Sequence, residues 1–171
     1  FAERGGNPAK QHSFIITEEL APTISLEDYC MNWPQQPPAF ALKKLLLERV
    51  AEMAGTMHRA GVNHRDFYIC HFLLHTDRPA EDASLKLSLI DLHRAQTRRQ
   101  TPRRWRNKDL AALYFSALDI GLTQRDTLRF LQVYFQQPLR KILQDEAQLL
   151  GWLEKKADKL YQRKQRYGDA L

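Results

Sequence analysis

Two acidic residues in this chain stand where phosphoryl transfer would need them. Asp66 closes the triplet His64-Arg65-Asp66, and Asp91 sits in Ile90-Asp91-Leu92, 25 positions further on. Each has a short apolar stretch beside it, Phe72-Leu73-Leu74 after the first and Leu85 to Ile90 before the second. Phosphoryl transfer divides labour between two such carboxylates. One orients the attacking hydroxyl and takes its proton, and the other holds the magnesium that bridges ATP phosphates. A His-Arg-Asp triplet alone is a weak signal. A triplet on a helix-to-strand turn, followed by an apolar strand ending in Asp, is much more specific.

Several elements must hold these two residues. Gly5-Gly6-Asn7-Pro8 marks a turn, and Ser13 to Thr17 is short, apolar and β-branched, which predicts a strand. Ser25-Leu26-Glu27-Asp28 has the form of a capping box opening a short helix, and Pro34 to Pro38 breaks what precedes it. Leu42, Leu45, Leu46, Val50, Met53, Ala54 and Met57 recur with a period near 3.6, predicting a core-facing helix over 39–60 with Gly61 as its stop. The loop 62–71 then carries His64-Arg65-Asp66. Phe72–Leu74 and Leu85–Ile90 read as a hairpin that returns Asp91 towards Asp66. Beyond it, an apolar helix over 109–118 and a helix capped by Thr123 and Asp126 are expected. A single last helix should run from Pro138 to about Arg166.

A length of 171 residues suits one domain or one large lobe of a bigger protein, and the first residue is Phe1, so the N-terminus is treated as cut. No secretory signal or membrane-length apolar run is evident, so a soluble chain is expected. Cys30 and Cys70 are too few for a disulfide framework and read as free thiols in a reducing cytoplasm. Net charge is +6, and it is concentrated. Arg94, Arg98, Arg99, Arg103, Arg104, Arg106 and Lys108 fall in one segment, 94–108, that contains no acid. Such a run either forms a solvated loop or meets an anionic ligand that relieves its self-repulsion.

The order of strand, acidic hinge, long helix, triplet loop, hairpin with terminal Asp, and helices is that of a protein-kinase C-lobe. The expected class is α+β, mainly α-helical, with a small β-hairpin. Arg59 to Leu74 followed by Leu89 to Arg99 closely resembles the lipopolysaccharide core heptose(I) kinases of the WaaP/RfaP type, and Phe14–Leu20 and Arg104–Leu118 fit the same family. The resemblance implies residues 1–24 as the end of an N-lobe and hinge, and 25–171 as the C-lobe. It implies ATP-dependent phosphorylation of a heptose in the lipopolysaccharide inner core. Asp66 would be the catalytic base and Asp91 (motif 90–93) the Mg2+ ligand, one carboxylate being sufficient for a cation that keeps its waters and phosphates. Thr17, Glu18, Glu19 and Leu20 would be the hinge that meets adenine, and Asp109 the brace of the triplet backbone.

Three departures matter. His71 stands where protein kinases place Asn, so it is read either as a ligand to metal and nucleotide or as a packed, supporting histidine. Asp91-Leu92-His93 replaces Asp-Phe-Gly, and the basic run replaces the usual activation segment. With an anionic inner-core acceptor, Arg65, Arg94, Arg98, Arg99, Arg103, Arg104 and Trp105 become candidate substrate-binding residues, because arginine forks suit carboxylates and phosphates. Trp105 is read as stacking on a sugar or anchoring the core, and Arg65 as pairing structurally with the basic segment. The family also implies acyl carrier protein as a partner and a cytoplasmic place at the inner face of a Gram-negative inner membrane. The basic C-terminal turns are compatible with that surface.

No glycine-rich loop precedes Phe14, and Lys10 lies too close to the hinge strand to serve as the N-lobe lysine. These residues alone are therefore expected to be weakly active or inactive. Competing readings are another small-molecule or Kdo kinase, a pseudokinase-like scaffold, and a basic nucleic-acid module built on residues 109 onward. The last leaves both acidic motifs unexplained, so nucleic acid is not an expected partner.

Overall fold

The computed structural model describes residues 2–4, 12–14, 18–77 and 84–167. It is a mixed α/β structure, mainly helical, with three small antiparallel sheets. Strands β1 (Ala2–Arg4) and β2 (His12–Phe14) pair with each other. Ser13 and Phe14 of the expected strand over 13–17 fall in β2, and Ile15 to Thr17 lie outside the described residues. Strand β3 (Thr23–Ser25) joins β5 (Phe72–His75) and β6 (Leu87–Leu89) in a sheet of order β3-β5-β6. Alternation along Phe72–His75 puts Phe72 and Leu74 into the core. Burial of each such side chain is worth roughly 1.5–3 kcal/mol.

Helix α1 (Leu26–Cys30) starts as the sequence predicts: Ser25 Oγ accepts the backbone N–H of Asp28 at 3.1 Å. Helix α2 (Phe40–Arg59) buries Leu46, Val50, Ala51 and Ala54, and it also buries His58, which the apolar stripe did not single out. Gly61 stops the helix at φ +83°. A Cβ there would lie 1.9 Å from the carbonyl oxygen of Arg98, so glycine is required by space as well as by backbone. Strand β4 (Val62–Asn63) leaves α2 and pairs with β7 (Gln96–Thr97), which ties the triplet loop to the start of the basic segment.

Helix α3 spans Arg103–Ser116 and begins after Pro102, six residues earlier than expected. The second half of the basic run is therefore helix, not loop. Helix α4 (Gln124–Phe135) carries a complete capping box from Thr123 and Asp126, reinforced by Lys43 Nζ on Asp126 Oδ2 at 2.8 Å. The single C-terminal helix is in fact two, α5 (Leu139–Asp145) and α6 (Ala147–Tyr167). At the break, the Glu146 carboxylate is held by Arg103 and Arg106, each at 3.2 Å. One core joins Leu26, Leu46, Val50, Phe67, Phe72, Leu110, Leu113, Leu149 and Leu153. No helix among the described residues is long and apolar enough to cross a membrane.

Candidate active site

The triplet loop is fixed from behind. Asp109 is buried on α3, and its carboxylate accepts the backbone N–H of His64 at 2.7 Å and of Arg65 at 2.9 Å. The same carboxylate accepts His58 Nε2–H at 3.2 Å. His58 Nδ1 then accepts the Tyr134 hydroxyl at 2.7 Å, and burial pushes that phenol upward. This chain of groups from α2, α3 and α4 holds the backbone of 64–65 in place. Arg65 adopts a left-handed conformation at φ 79°.

The two acidic motifs are then stitched together by histidines. His64 Nε2–H donates to the carbonyl of Ile90 at 2.9 Å, and Ile90 N–H donates to the carbonyl of His71 at 3.0 Å. His71 Nδ1 lies 2.7 Å from the carbonyl oxygen of Asp66, so that nitrogen carries a proton. In the neutral ring Nε2 is therefore a bare lone pair, and it faces Asp91 Oδ2 at 3.5 Å. Asp91 itself sits at φ 62° and receives His93 Nδ1 on Oδ1. That hydrogen bond is the main reason the Asp91 carboxyl is held below its usual value.

Asp66 has two unlike oxygens. Arg94 donates to Oδ1 at 2.8 Å, while Oδ2 is buried and lacks a hydrogen-bond partner among the described residues. A buried acceptor left open in this way costs free energy unless a donor arrives. Asp66, His71, Asp91 and Arg94 thus form one cluster. Among the described residues there is no group of three or more His, Cys, Asp or Glu that could hold a metal ion. Mg2+ takes one or two carboxylates and fills its remaining positions with phosphate and water, so Asp91 fits it as a single carboxylate ligand, whereas the imidazole nitrogen of His71 is a poor match for so hard a cation.

Other sequence candidates lie elsewhere. Glu18, Glu19 and Leu20 are exposed chain before β3, the Leu20 carbonyl accepting the Thr23 hydroxyl at 2.7 Å, and Thr17 is outside the described residues. Arg98 is committed to Asn63 Oδ1 at 2.6 Å, and Arg103 is taken up by Glu146. Arg99 and Arg104 are exposed. Trp105 is half-buried, with Arg65, Arg98, Arg104 and Lys108 all within 6 Å of its ring. The sequence reading missed the supporting roles of His58, His64 and His93. His64 and His93 stand inside the two motifs, whereas the contacts of His58 are long-range and leave no local signal. Burial raises the Cys30 thiol to about 12 and raises Cys70 as well, so neither is a ready nucleophile.

A mainly helical body that presents two carboxylates on facing loops has counterparts of known family. Residues 1–134 match the lipopolysaccharide kinase (Kdo/WaaP) family, and the chain belongs to it. It is 68% identical, over its whole length, to the lipopolysaccharide core heptose(I) kinase WaaP of Pseudomonas aeruginosa, and covers 64% of that protein. It is 57% identical over 98% of its length to the enzyme of the same name from Escherichia coli, of which it covers 63%. A solved structure described as WaaP in complex with acyl carrier protein superposes with a TM-score of 0.85 at 68% identity, over 94% of this chain and 66% of that one. The chain thus spans a little under two thirds of these relatives.

Proposed function

We infer that this chain supplies the catalytic base and the metal-binding carboxylate of a kinase that phosphorylates heptose in the lipopolysaccharide inner core. On this reading residues 25–171 are a protein-kinase-like C-lobe and residues 1–24 the end of an N-lobe with its hinge. The observation that carries the chemistry is the placement of His71, which bonds the backbone of Asp66 through one nitrogen and faces Asp91 with the other. One residue thereby sets the distance between base and metal ligand.

ATP would supply the phosphoryl group, and Mg2+ held by Asp91, with His71 beside that carboxylate, would neutralise charge on its phosphates. Asp66 Oδ2, buried and without a hydrogen-bond partner among the described residues, would orient the heptose hydroxyl and accept its proton as the new O–P bond forms and the bond to departing ADP breaks. Arg94, bonded to Oδ1, holds the carboxylate in that orientation. Its guanidinium has further N–H groups that can turn to the negative charge gathered between Asp66 and Asp91. His64 keeps the two loops in register through Ile90.

The anionic acceptor and an acidic carrier protein both suit the basic surface of 94–108. An apolar cavity of about 260 Å³ between α2, α3, α4 and α6, bordered by Leu46, Leu113, Leu131 and Leu153, is compatible with an acyl chain delivered by such a carrier. The inner-membrane face remains the proposed place of action. The test is ATP-dependent phosphate transfer to a heptose-bearing core, followed in Asp66→Asn and Asp91→Asn. Each is expected to lower kcat at least about a hundredfold. Activity within threefold of the parent in either variant would sink the reading.

A further inference from the structure

We propose that the groove between the first turns of α3 and the start of α6 binds an acidic sugar of the acceptor, with Trp152 as its stacking platform. This rests on the heptose kinase reading and extends it to a second subsite.

The groove encloses about 480 Å³. One wall is the α3 face that carries Arg104 and Lys108, four residues apart and therefore on the same side of the helix. The other wall is α6, where Gln148 and Trp152 are likewise four apart. Asn107 and Leu149 complete the lining between them. The walls are held at fixed separation because Leu149, Leu153 and Ala157 on α6 are buried, while Glu146 at its root is clamped by Arg103 and Arg106.

The lining has an unbalanced charge. Arg103 is answered by Glu146, but neither Arg104 nor Lys108 has a carboxylate within ion-pair distance among the described residues. Instead both crowd the same Trp105 ring, at 5.1 and 4.6 Å from its centroid. Two like charges one helical turn apart repel, and an anion placed between them removes that cost. Arg104 offers a fork that matches a carboxylate or phosphate.

Charge alone does not distinguish an acidic sugar from an acidic protein, but the rest of the lining does. Trp152 is 39% exposed, an aromatic face left to solvent inside a concave site. The C–H face of a sugar ring is apolar and flat enough to cover it. Asn107 and Gln148 each both donate and accept, which is what ring hydroxyls require. An acidic helix or loop would use the cations and leave the ring and the amides unmatched.

The groove is linked to the triplet loop through the Trp105 ring. Arg65, next to Asp66, stands 5.7 Å from the Trp105 ring that Arg104 and Lys108 share. Along α3, Arg104 lies five residues before Asp109, which braces that same loop, a distance of about 7.5 Å at 1.5 Å per residue. A saccharide with its heptose hydroxyl at Asp66 would therefore lay a neighbouring acidic sugar along Trp105 and into the groove.

The test uses the full chain and two acceptors: an inner-core oligosaccharide that retains its acidic sugar, and the same heptose oligosaccharide without it. Trp152→Ala and the pair Arg104→Ser with Lys108→Ser should each raise KM for the acidic acceptor about tenfold. In both, kcat should change less than twofold and KM for the neutral acceptor should hold. Equal rises for both acceptors, or no rise, overturn the proposal. Thermal melts check the folding of each variant, and Trp152→Phe replaces Trp152→Ala if the latter melts early. Should the parent transfer phosphate to neither acceptor, which the weak activity expected of these residues alone would explain, the groove is judged by tryptophan fluorescence alone. Saturable quenching by the acidic oligosaccharide, abolished in the Arg104–Lys108 pair variant, supports it. No quenching, equal quenching by the neutral oligosaccharide, or a response to an acidic carrier protein alone overturns it.

Discussion

Arg94 donates to Oδ1 of Asp66 at 2.8 Å across 28 residues of sequence, and the other oxygen of that carboxylate is buried and open. On the proposed reading this asymmetry would divide the two oxygens between anchoring and proton transfer. Arg94→Ala should free the carboxylate to rotate and should remove a positive charge from beside Asp91. The expected fall in kcat is roughly a hundredfold, with Arg94→Lys recovering only part because a single ammonium lacks the fork. Steady-state kinetics at saturating ATP check this, and a loss confined to KM for the acceptor would count against it.

His71 holds the spacing between Asp66 and Asp91, so its replacements should divide by chemistry and not by size. His71→Ala should weaken the magnesium dependence of activity by about 10–100-fold, the usual effect of removing a group that orients or ligates beside a metal. His71→Asn, which restores an amide oxygen, should stay within about tenfold of the parent. Magnesium titrations of both variants provide the measurement. Equal losses would mean that the imidazole serves packing alone.

Asp109 satisfies two backbone N–H groups and one imidazole in a site that excludes water. Asp109→Ala leaves all three unpaired and should cost about 3 kcal/mol or more. The effect should be local before it is global, so amide hydrogen exchange at His64 and Arg65 should accelerate under native conditions. Unchanged protection at these two amides would refute the bracing role.

The pH dependence of stability should carry the mark of Asp126. Burial alone would push its carboxyl up, but Lys43 and the Thr123 amide and hydroxyl outweigh burial and hold it below 3.8. A carboxylate depressed in the folded state stabilises above its unfolded value, near 3.9, and that stabilisation is lost as pH falls through the folded value. Asp126→Asn should therefore cost about 3 kcal/mol at pH 7, a drop in Tm of roughly 6–12 °C. The gap from the parent should shrink steadily below about pH 4. A gap that stays constant from pH 7 to pH 3 would exclude this ion pair as its source.

The parts of the fold governed by local rules were legible in the sequence. Ser25 with Asp28 and Thr123 with Asp126 announced helix starts, and the α2 periodicity with Gly61 gave that helix nearly residue by residue. The parts that failed depend on distant partners. Nothing between 138 and 166 breaks a helix, and the interruption falls where two arginines of α3 hold Glu146. The early start of α3 was obscured because a run of like charges resembles a solvated loop, although Pro102 is a reasonable residue to precede a helix. In the site, Asp66 and Asp91 were readable from their neighbours in sequence. The approach of His71 to Asp91, and the pairing of Arg94 with Asp66, exist only once the β5–β6 hairpin has closed.

Gly61, Arg65 and Asp91 share a left-handed backbone, at φ 83°, 79° and 62°. Glycine relaxes such a backbone freely, whereas arginine and aspartate bear it at a penalty on the order of 1 kcal/mol each. Two of these positions therefore keep side chains that the local backbone disfavours, one against Trp105 and the other facing His71. Selection for foldability and selection for chemistry pull apart at these residues. Glycine at both positions would relax the backbone while removing the Arg65 contact with Trp105 and the Asp91 carboxylate beside His71.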